Sequence, residues 1–454
     1  MQISNVYKKR FFSVLVLIIL LVGTGYILGE LLKPVHYDTY TYNLEYNKLK
    51  FDKAKVDMVF MGSSRVLKTF NPKIFENELH LKNVFNLSMN QQTMAGNYFF
   101  LKEFIDEFHP KIVVLGITYS GLTEKESPKI VKLKILERLH GNNRLMYIND
   151  CFSIKEYSEL LPIYAYRGNL LTITQNINNR IKYEKEGIHL QTKYFQFMGQ
   201  GFVAFFASMP LGNMGVKKQV TFNEQMVRHE TVDYLDKIVK LCKDHNIQLF
   251  LMTPPTSMSY IYGNTNYQGV INYIDNYAKK NNVIYHNLNF MKDRETLLPD
   301  SVFYDSKHLN KIGATIVSKQ YAEILSKSFK NLDTNSYFYS TLDEMKQNVH
   351  RIVAVDSKPV IMNSIMTLPI RSLQNDDVTP YYQILLARKG NVFKSIIDWT
   401  KENKVSFKIP NGTQYRILLR ARNHENDTNY AWMAWEVDKK GKLRKVQNVP
   451  VNGK

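Results

Sequence analysis

The pattern of apolar and polar positions opens on an uncharged run, Phe11 to Gly29 (FFSVLVLIILLVGTGYILG). At about 1.5 Å per residue it makes a helix of roughly 28 Å, enough to cross a hydrocarbon core. Lys8, Lys9 and Arg10 precede it. The positive-inside rule then predicts a cytoplasmic N-terminus over residues 1–10, an anchor over residues 11–32, and the bulk of the chain outside the cell. The alternative is a cleaved signal peptide, which wants a shorter run and a small-x-small cleavage site. Gly23-Thr24-Gly25 is a weak candidate for one.

From Val56 onward short apolar runs alternate with helical periodicity. Val56–Met61 ends in Gly-Ser-Ser, Asn83–Leu87 ends in a polar loop, and Lys111–Ile117 and Ile247–Met252 read as buried strands, as does Val283–Leu288. Between them, Phe100, Leu101, Phe104, Ile105 and Phe108 share one helical face, as do Val270, Ile271, Ile274 and Ala278. His109-Pro110 stops the first of these helices. Strands alternating with helices predict an α/β domain over about residues 50–330, with a parallel sheet covered on both faces. Ligands of such sheets bind at the carboxyl ends of the strands.

The rhythm breaks between about Gly121 and Arg228, a mainly helical, irregular stretch with Pro128, Pro162 and Pro210. It is read as an insertion capping the strand ends. Its tract LPIYAYRGN makes Arg167 a candidate to line a substrate pocket; the alternative is a helix packing its tyrosines on the core with Arg167 solvated. After Asn331 helical periodicity gives way to alternation. Val405–Ile409, the turn Pro410-Asn411-Gly412 and Tyr415–Ala421 form a strand–turn–strand pattern read as a hairpin. Residues 335–454 are a suitable length for a β-sandwich.

Composition narrows the classes. The chain has 454 residues, aromatics at 13% and a net charge of +19. The aromatic content excludes a disordered chain. Cys151 and Cys242 exclude a disulfide scaffold and leave a single bridge open. The positive charge suits an anionic polymer or lipid, or is a solvated lysine surface. No compact basic tract with stacking aromatics is present, and no nucleic-acid partner is expected. No cofactor or metal is expected either, since the phosphate-loop, dinucleotide and zinc-helix motifs are missing.

Two short segments carry candidate chemistry. Gly62-Ser63-Ser64-Arg65 follows a strand directly, where glycine permits a tight turn and a following helix aims N–H groups at a developing oxyanion. An ordinary Gly-Ser-Ser turn or helix cap reads the same way. Asp305-Ser306-Lys307-His308-Leu309-Asn310 precedes a helical pattern. An Asp three residues before a His can orient the imidazole so that its other nitrogen takes a serine proton; a capping Asp with a solvated His is the alternative.

Taken together and in this order, these segments resemble the SGNH (GDSL-type) hydrolase superfamily over roughly Asp52 to Ser328. The resemblance implies an SGNH-type three-layer α/β sandwich with Ser64 as nucleophile, His308 as base and Asp305 as its orienter. Asn86-Leu87-Ser88-Met89-Asn90-Gln91 looks like the family's second block, which implies a backbone oxyanion donor near Asn90 or Gln91. The family's third block, Gly-x-Asn-Asp, is replaced by Gly116-Ile117-Thr118-Tyr119-Ser120, so Thr118 or Ser120 is the candidate stand-in. Arg65 is the candidate substrate contact beside the nucleophile.

The Gly-Ser-Ser-Arg start and the Asp-x-x-His-Leu-Asn finish are similar to membrane-anchored extracellular proteins of alginate acetylation and lipoteichoic-acid D-alanylation. There a multipass membrane acyltransferase supplies the acyl group. Tyr381-Tyr382, Trp399, Pro410–Ile417 and Tyr430 resemble a triple-tyrosine (Y_Y_Y) β-sandwich module. The expected function is an extracytoplasmic serine esterase or O-acyltransferase on a cell-envelope polysaccharide or teichoic-acid-like polymer. The alternative is a catalytically inactive surface protein that binds glycan or serves as a scaffold.

Overall fold

The computed structural model of the protein describes residues 5–123, 128–187, 191–192, 194–206, 221–262, 264, 266–349, 352–374, 378–388, 391–423 and 431–446. Pro210 and Tyr430 lie outside the described residues. The chain begins with α1 (Asn5–Leu32) and α2 (Tyr37–Phe51), then β1 (Met58–Met61), α3 (Ser64–Leu67), α4 (Pro72–Leu79), β2 (Val84–Asn86), α5 (Met94–Phe108) and β3 (Ile112–Gly116). Next come α6 (Tyr119–Thr123), α7 (Lys129–Arg138), α8 (Gly141–Cys151), α9 (Pro162–Ala165), α10 (Ile173–Glu186), β4 (Phe195–Gly199) and β5 (Phe202–Phe205). The α/β pattern resumes with α11 (His229–Asp244), β6 (Gln248–Thr253), α12 (Met258–Tyr262), α13 (Tyr267–Asn281) and β7 (Ile284–Asn287). It ends with α14 (Arg294–Leu297), β8 (Phe303–Asp305), β9 (His308–Leu309), α15 (Lys311–Phe329) and α16 (Leu342–Asn348).

The first sheet is parallel throughout, in the order β2-β1-β3-β6-β7. Alternation along its strands feeds two cores, because successive side chains point to opposite faces. Val59 and Met61 of β1 pack with α5, α11 and α13 through Phe100, Ile238 and Ile274. Met58 and Phe60 face the other way, onto Phe75 of α4 and Val317 and Tyr321 of α15. Apolar residues on both faces are what a helix-covered parallel sheet requires. Helix α2 joins the first core through Tyr42 and Tyr46, one turn apart.

Helix α1 carries the apolar run. Its stretch Lys9–Leu32 has a mean hydropathy of 2.6, and its large apolar side chains from Phe11 to Leu28 are exposed. It is long and apolar enough to cross a membrane.

The stretch Gly121–Arg228 is not helical throughout: hairpin β4–β5 follows α10. Its two halves also pack on different things. Hairpin β4–β5 docks at β2, where the Asn86 N–H donates to Gln200 O at 2.9 Å, and Glu45 of α2 accepts from the Gln200 and Gly201 amides. Helices α9 and α10 instead pack on the end of α1. There the side-chain amide of Asn176 donates to Leu32 O at 2.9 Å and Arg180 to Glu30 O at 2.8 Å, satisfying carbonyls that a helix end leaves open.

The remaining strands are β10 (Ile352–Ser357), β11 (Val360–Met362), β12 (Ile365–Gln374), β13 (Tyr381–Arg388), β14 (Lys394–Thr400), β15 (Lys404–Lys408), β16 (Tyr415–Arg422), β17 (Ala431–Val437) and β18 (Leu443–Val446). They form two antiparallel sheets, β10-β12-β11 with β15 on β12, and β14-β13-β16-β17-β18. One core lies between them, with Val355, Met366 and Leu368 against Ile384, Ile417 and Trp435. The expected hairpin is a correction. Strands β15 and β16 form, but β15 pairs with β12 and β16 with β13 and β17, so Pro410-Asn411-Gly412 carries the chain from one sheet to the other. Tyr382 and Tyr415 are core residues. Cys151 and Cys242 are unpaired thiols.

Candidate functional site

Strands β1, β2 and β3 are adjacent and parallel, so their carboxyl ends share one edge of the sheet. At the end of β1, Gly62 has φ +151°, which L side chains rarely adopt. A Cβ there would run into Val66, and one at Gly116 would do the same. The two glycines thus let α3 sit tight on the strand ends. Ser63 is the N-cap of α3, its carbonyl accepting from Val66 and Leu67 at 3.0 and 3.1 Å, and Ser64 is the first helical residue. From β2 the Asn86 side chain donates to Val66 O and Phe70 O at 3.1 and 3.2 Å. The position of Ser64 is therefore set by two strands and a buried amide.

His308 comes from the far end of the chain. It lies on β9, opposite Asp305 in the short ladder β8–β9. Asn310 caps α15, accepting from the Ile312 and Gly313 amides at 3.0 and 3.1 Å and donating to Ser301 O at 2.8 Å. That cap fixes the loop and turns His308 toward α3. The Ser64 hydroxyl lies 2.8 Å from His308 Nε2. His308 Nδ1 lies 2.9 and 2.8 Å from the two Asp305 oxygens. The Lys307 and His308 backbone amides donate to Asp305 Oδ1 at 2.8 and 2.9 Å.

This geometry dictates the proton positions. Ionised Asp305 only accepts, so Nδ1 carries the ring proton and Nε2 is free to accept from Ser64. Burial alone would push the Asp305 carboxyl up, but its bond to His308, the Lys307 amide and the Lys68 charge together hold it below the usual carboxylate range. His308 is lowered: burial is the main cause, Lys68 and Arg65 add to it, and Asp305 opposes it. Its resting form at neutral pH is the imidazole that can take a proton.

Two cations flank the pair. The Arg65 guanidinium is 4% exposed and stacks on Tyr260 at 4.6 Å. Its Nη2 is buried without a hydrogen-bond partner among the described residues. Lys68 is also buried, over Phe205 of β5 at 4.4 Å, and burial pushes its amine down to about 8. Sequence reasoning missed Lys68, since nothing in its pattern separates it from a surface lysine. Its place one turn beyond Ser64, at the C-cap of α3, was the available signal.

The other candidates fall in different places. Asn90 is half-buried, and its side-chain amide donates to Tyr37 and Asp38 at 3.2 Å each, in a buried network with Arg138. What Asn90 has left to offer is backbone. Gln91 is exposed with φ +61°. Thr118 is buried at the end of β3, where its hydroxyl accepts from the Gly121 amide at 3.1 Å and lies 3.4 Å from Ser120 Oγ. It caps its own short helix. Arg167 is an exposed residue beside α9; it stacks on Tyr164 at 4.0 Å and donates to Tyr164 O. Its contacts belong to the part of the insertion that packs on α1, and among the described residues none of them reaches Ser64 or His308.

No curated protein matches the chain. One family model, which carries no description, matches residues 211–330. Among solved structures the chain is similar to a GDSL-like lipase from Bacteroides thetaiotaomicron, at 12% identity and a TM-score of 0.30, over 63% of this chain and 98% of that one. It is also similar to a protein described as an acylhydrolase from Bacteroides fragilis, at 12% identity and a TM-score of 0.29, over 63% of this chain and 97% of that one. A functional reading rests on the arrangement of Ser64, His308 and Asp305.

Proposed function

We propose that this chain is a membrane-anchored serine esterase or O-acyltransferase that works outside the cytoplasm, on a cell-envelope polysaccharide or teichoic-acid-like polymer. One observation carries the reading: an unbroken relay of hydrogen-bond distances from Ser64 Oγ through His308 to Asp305, with Asp305 held by two backbone amides. In the proposed reaction the Ser64 proton passes to His308 Nε2 as Oγ bonds to the acyl carbonyl carbon. First-turn amides of α3, together with backbone near Asn90, receive the oxyanion. Collapse breaks the bond to the leaving oxygen, which takes the proton from His308. Water or a sugar hydroxyl then gives a proton to His308 and attacks the acyl-serine; collapse breaks the bond to Ser64 Oγ, which takes that proton back from His308. Transfer to a polymer hydroxyl is favoured by the buried cationic flank, which suits an anionic acceptor.

Helix α1 serves as an uncleaved anchor with its N-terminus inside. The side-chain donors on Glu30 O and Leu32 O support this, because they build the end of α1 into the folded part. A multipass acyltransferase in the same membrane is the proposed acyl source, and the C-terminal sheets are a triple-tyrosine-like module for polymer contact. A fluorophosphonate probe tests the core of the reading. The expected result is covalent labelling at Ser64, absent in Ser64→Ala and strongly slowed in His308→Ala. An unlabelled, folded wild-type protein at neutral pH would replace the enzyme with a binding protein.

A further inference from the structure

The insertion shows an apolar surface that the catalytic reading does not use. Helix α9 lies directly on α1: a side chain at Gly29 would run into the backbone of Pro162 and Ile163, and one at Gly25 would touch Ile163. Small residues four apart let a second backbone approach closely. The height of this contact follows from helix geometry. Gly25 lies sixteen residues beyond Lys9, or about 24 Å along the axis, inside a hydrocarbon core of about 30 Å. Gly29 lies about 30 Å along, at its outer boundary. Whatever packs on Gly25 and Gly29 sits at the lipid–water interface.

What packs there is apolar outward as well as inward. Leu161, Ile163 and Tyr164 are exposed on and beside α9, and in the 3₁₀ turn Arg167–Thr172 Leu170 and Leu171 are 65% and 97% exposed. Arg167 lies among them, stacked on Tyr164. Exposed leucines with a tyrosine and an arginine are the composition of a segment lying in the headgroup and acyl boundary, where the aromatic ring straddles both media and the cation meets lipid phosphate.

We propose that α9 and the turn Arg167–Thr172 form a monotopic face buried in the near leaflet of the bilayer that α1 crosses, with lipid as its occupant. The proposal rests on the reading of α1 as a membrane-spanning anchor. A lone helix would leave the folded part free to tilt on its tether. A second attachment, locked to α1 by the bonds from Asn169, Asn176 and Arg180 to its last carbonyls, fixes the height and tilt of the parallel sheet above the lipid.

The test uses the full chain in nanodiscs of phosphatidylcholine and phosphatidylglycerol, with or without brominated acyl chains. Single tryptophans replace Leu171, Leu161, Ile18 or Val360, and quenching is read above the baseline of the three native tryptophans. Ile18→Trp reports on α1, and Val360→Trp on a strand of the C-terminal sheets. The expected result is quenching severalfold stronger for Leu171→Trp and Leu161→Trp than for Val360→Trp. If Ile18→Trp is quenched while Leu171→Trp matches Val360→Trp, the anchor stands and the lipid face is wrong, its cover being solvent or another protein. If Ile18→Trp is also unquenched, the anchor reading itself fails and the lipid face falls with it.

Discussion

Replacing Asp305 by asparagine changes one oxygen, and the structure says where each atom of the new amide must go. Oδ1 accepts two backbone N–H groups, those of Lys307 and His308. An NH₂ group at that position would face two donors, so the asparagine carbonyl takes it. The NH₂ then occupies the Oδ2 position, 2.8 Å from His308 Nδ1. A donor there requires Nδ1 to be bare, which moves the neutral ring's proton to Nε2. Nε2–H would then point at Ser64 Oγ across 2.8 Å and could not accept its proton. The same substitution in a Ser-His-Asp triad elsewhere costs about 10⁴ in kcat through the wrong tautomer. At about 1.4 kcal/mol per tenfold, that is about 5.5 kcal/mol of transition-state stabilisation. Full-length Asp305→Asn in nanodiscs, assayed on p-nitrophenyl acetate at pH 7–8, should lose between about 10³ and 10⁴ in kcat with an unchanged melting temperature. A loss under tenfold in a folded protein would show that His308 does not depend on Asp305 for its tautomer.

Further outcomes follow from the same neighbourhood. The acid limb of kcat/KM should lie below the ordinary imidazole value of about 6.5, since burial with Lys68 and Arg65 lowers His308 and imidazolium cannot accept the serine proton. Lys68→Met removes a charge that lowers His308, so the limb should move to higher pH; a profile that stays put or moves to lower pH contradicts the assigned cause. Arg65→Met should leave a small neutral ester within about threefold in kcat/KM while raising KM for an anionic polymer about 10- to 100-fold, the worth of one hydrogen bond to a charged group. Equal losses on both substrates would make Arg65 a packing residue. Gly29→Leu should drive α9 off α1 at a cost of about 1–3 kcal/mol from overpacking, read as a lower melting temperature and faster proteolysis near residues 161–172.

The parts of this fold that were legible were those written in local periodicity. The strands β1, β3 and β6 are short runs apolar on both faces, and the helices between them repeat at 3.6, so the parallel sheet could be read directly. Ser64 and His308, 244 positions apart, were legible only because each sits in a short motif at a strand end. What local pattern cannot carry is the choice of partner. Strand β15 and the turn after it look like half of a hairpin, yet β15 bonds to β12, where its Val405 joins Met366 and Leu368 on one inner face, while β16 brings Ile417 and Leu419 to the core from the opposite sheet. Arg167 shows the same limit: its aromatic neighbours left a pocket and a packed helix with a solvated arginine both open, and the tract containing them packs on α1, a contact decided by Gly25 and Gly29 far away in sequence. Lys68 was invisible because its burial comes from β5, which lies in the region read as helical.

Arg65 bears most directly on what the site recognises. An arginine at 4% exposure with a buried Nη2 to which no described residue hydrogen-bonds is costly, and native structures seldom keep such a group without a use. Stacking on Tyr260 satisfies a face of the guanidinium plane but none of its N–H donors. Asp305 accepts from His308 and two backbone amides, and no hydrogen bond or ion pair joins it to Arg65 among the described residues. A second buried cation, Lys68, raises the electrostatic cost further. In a purely hydrolytic pocket for a neutral ester that arrangement stabilises nothing in the ground state. Placed against a phosphodiester or carboxylate of a polymer repeat, the same two groups become charge-assisted donors beside the nucleophile, and the acceptor hydroxyl of that repeat is held within reach of Ser64. Under the proposed function, this is the physical reason to expect an anionic acceptor rather than water to resolve the acyl-serine.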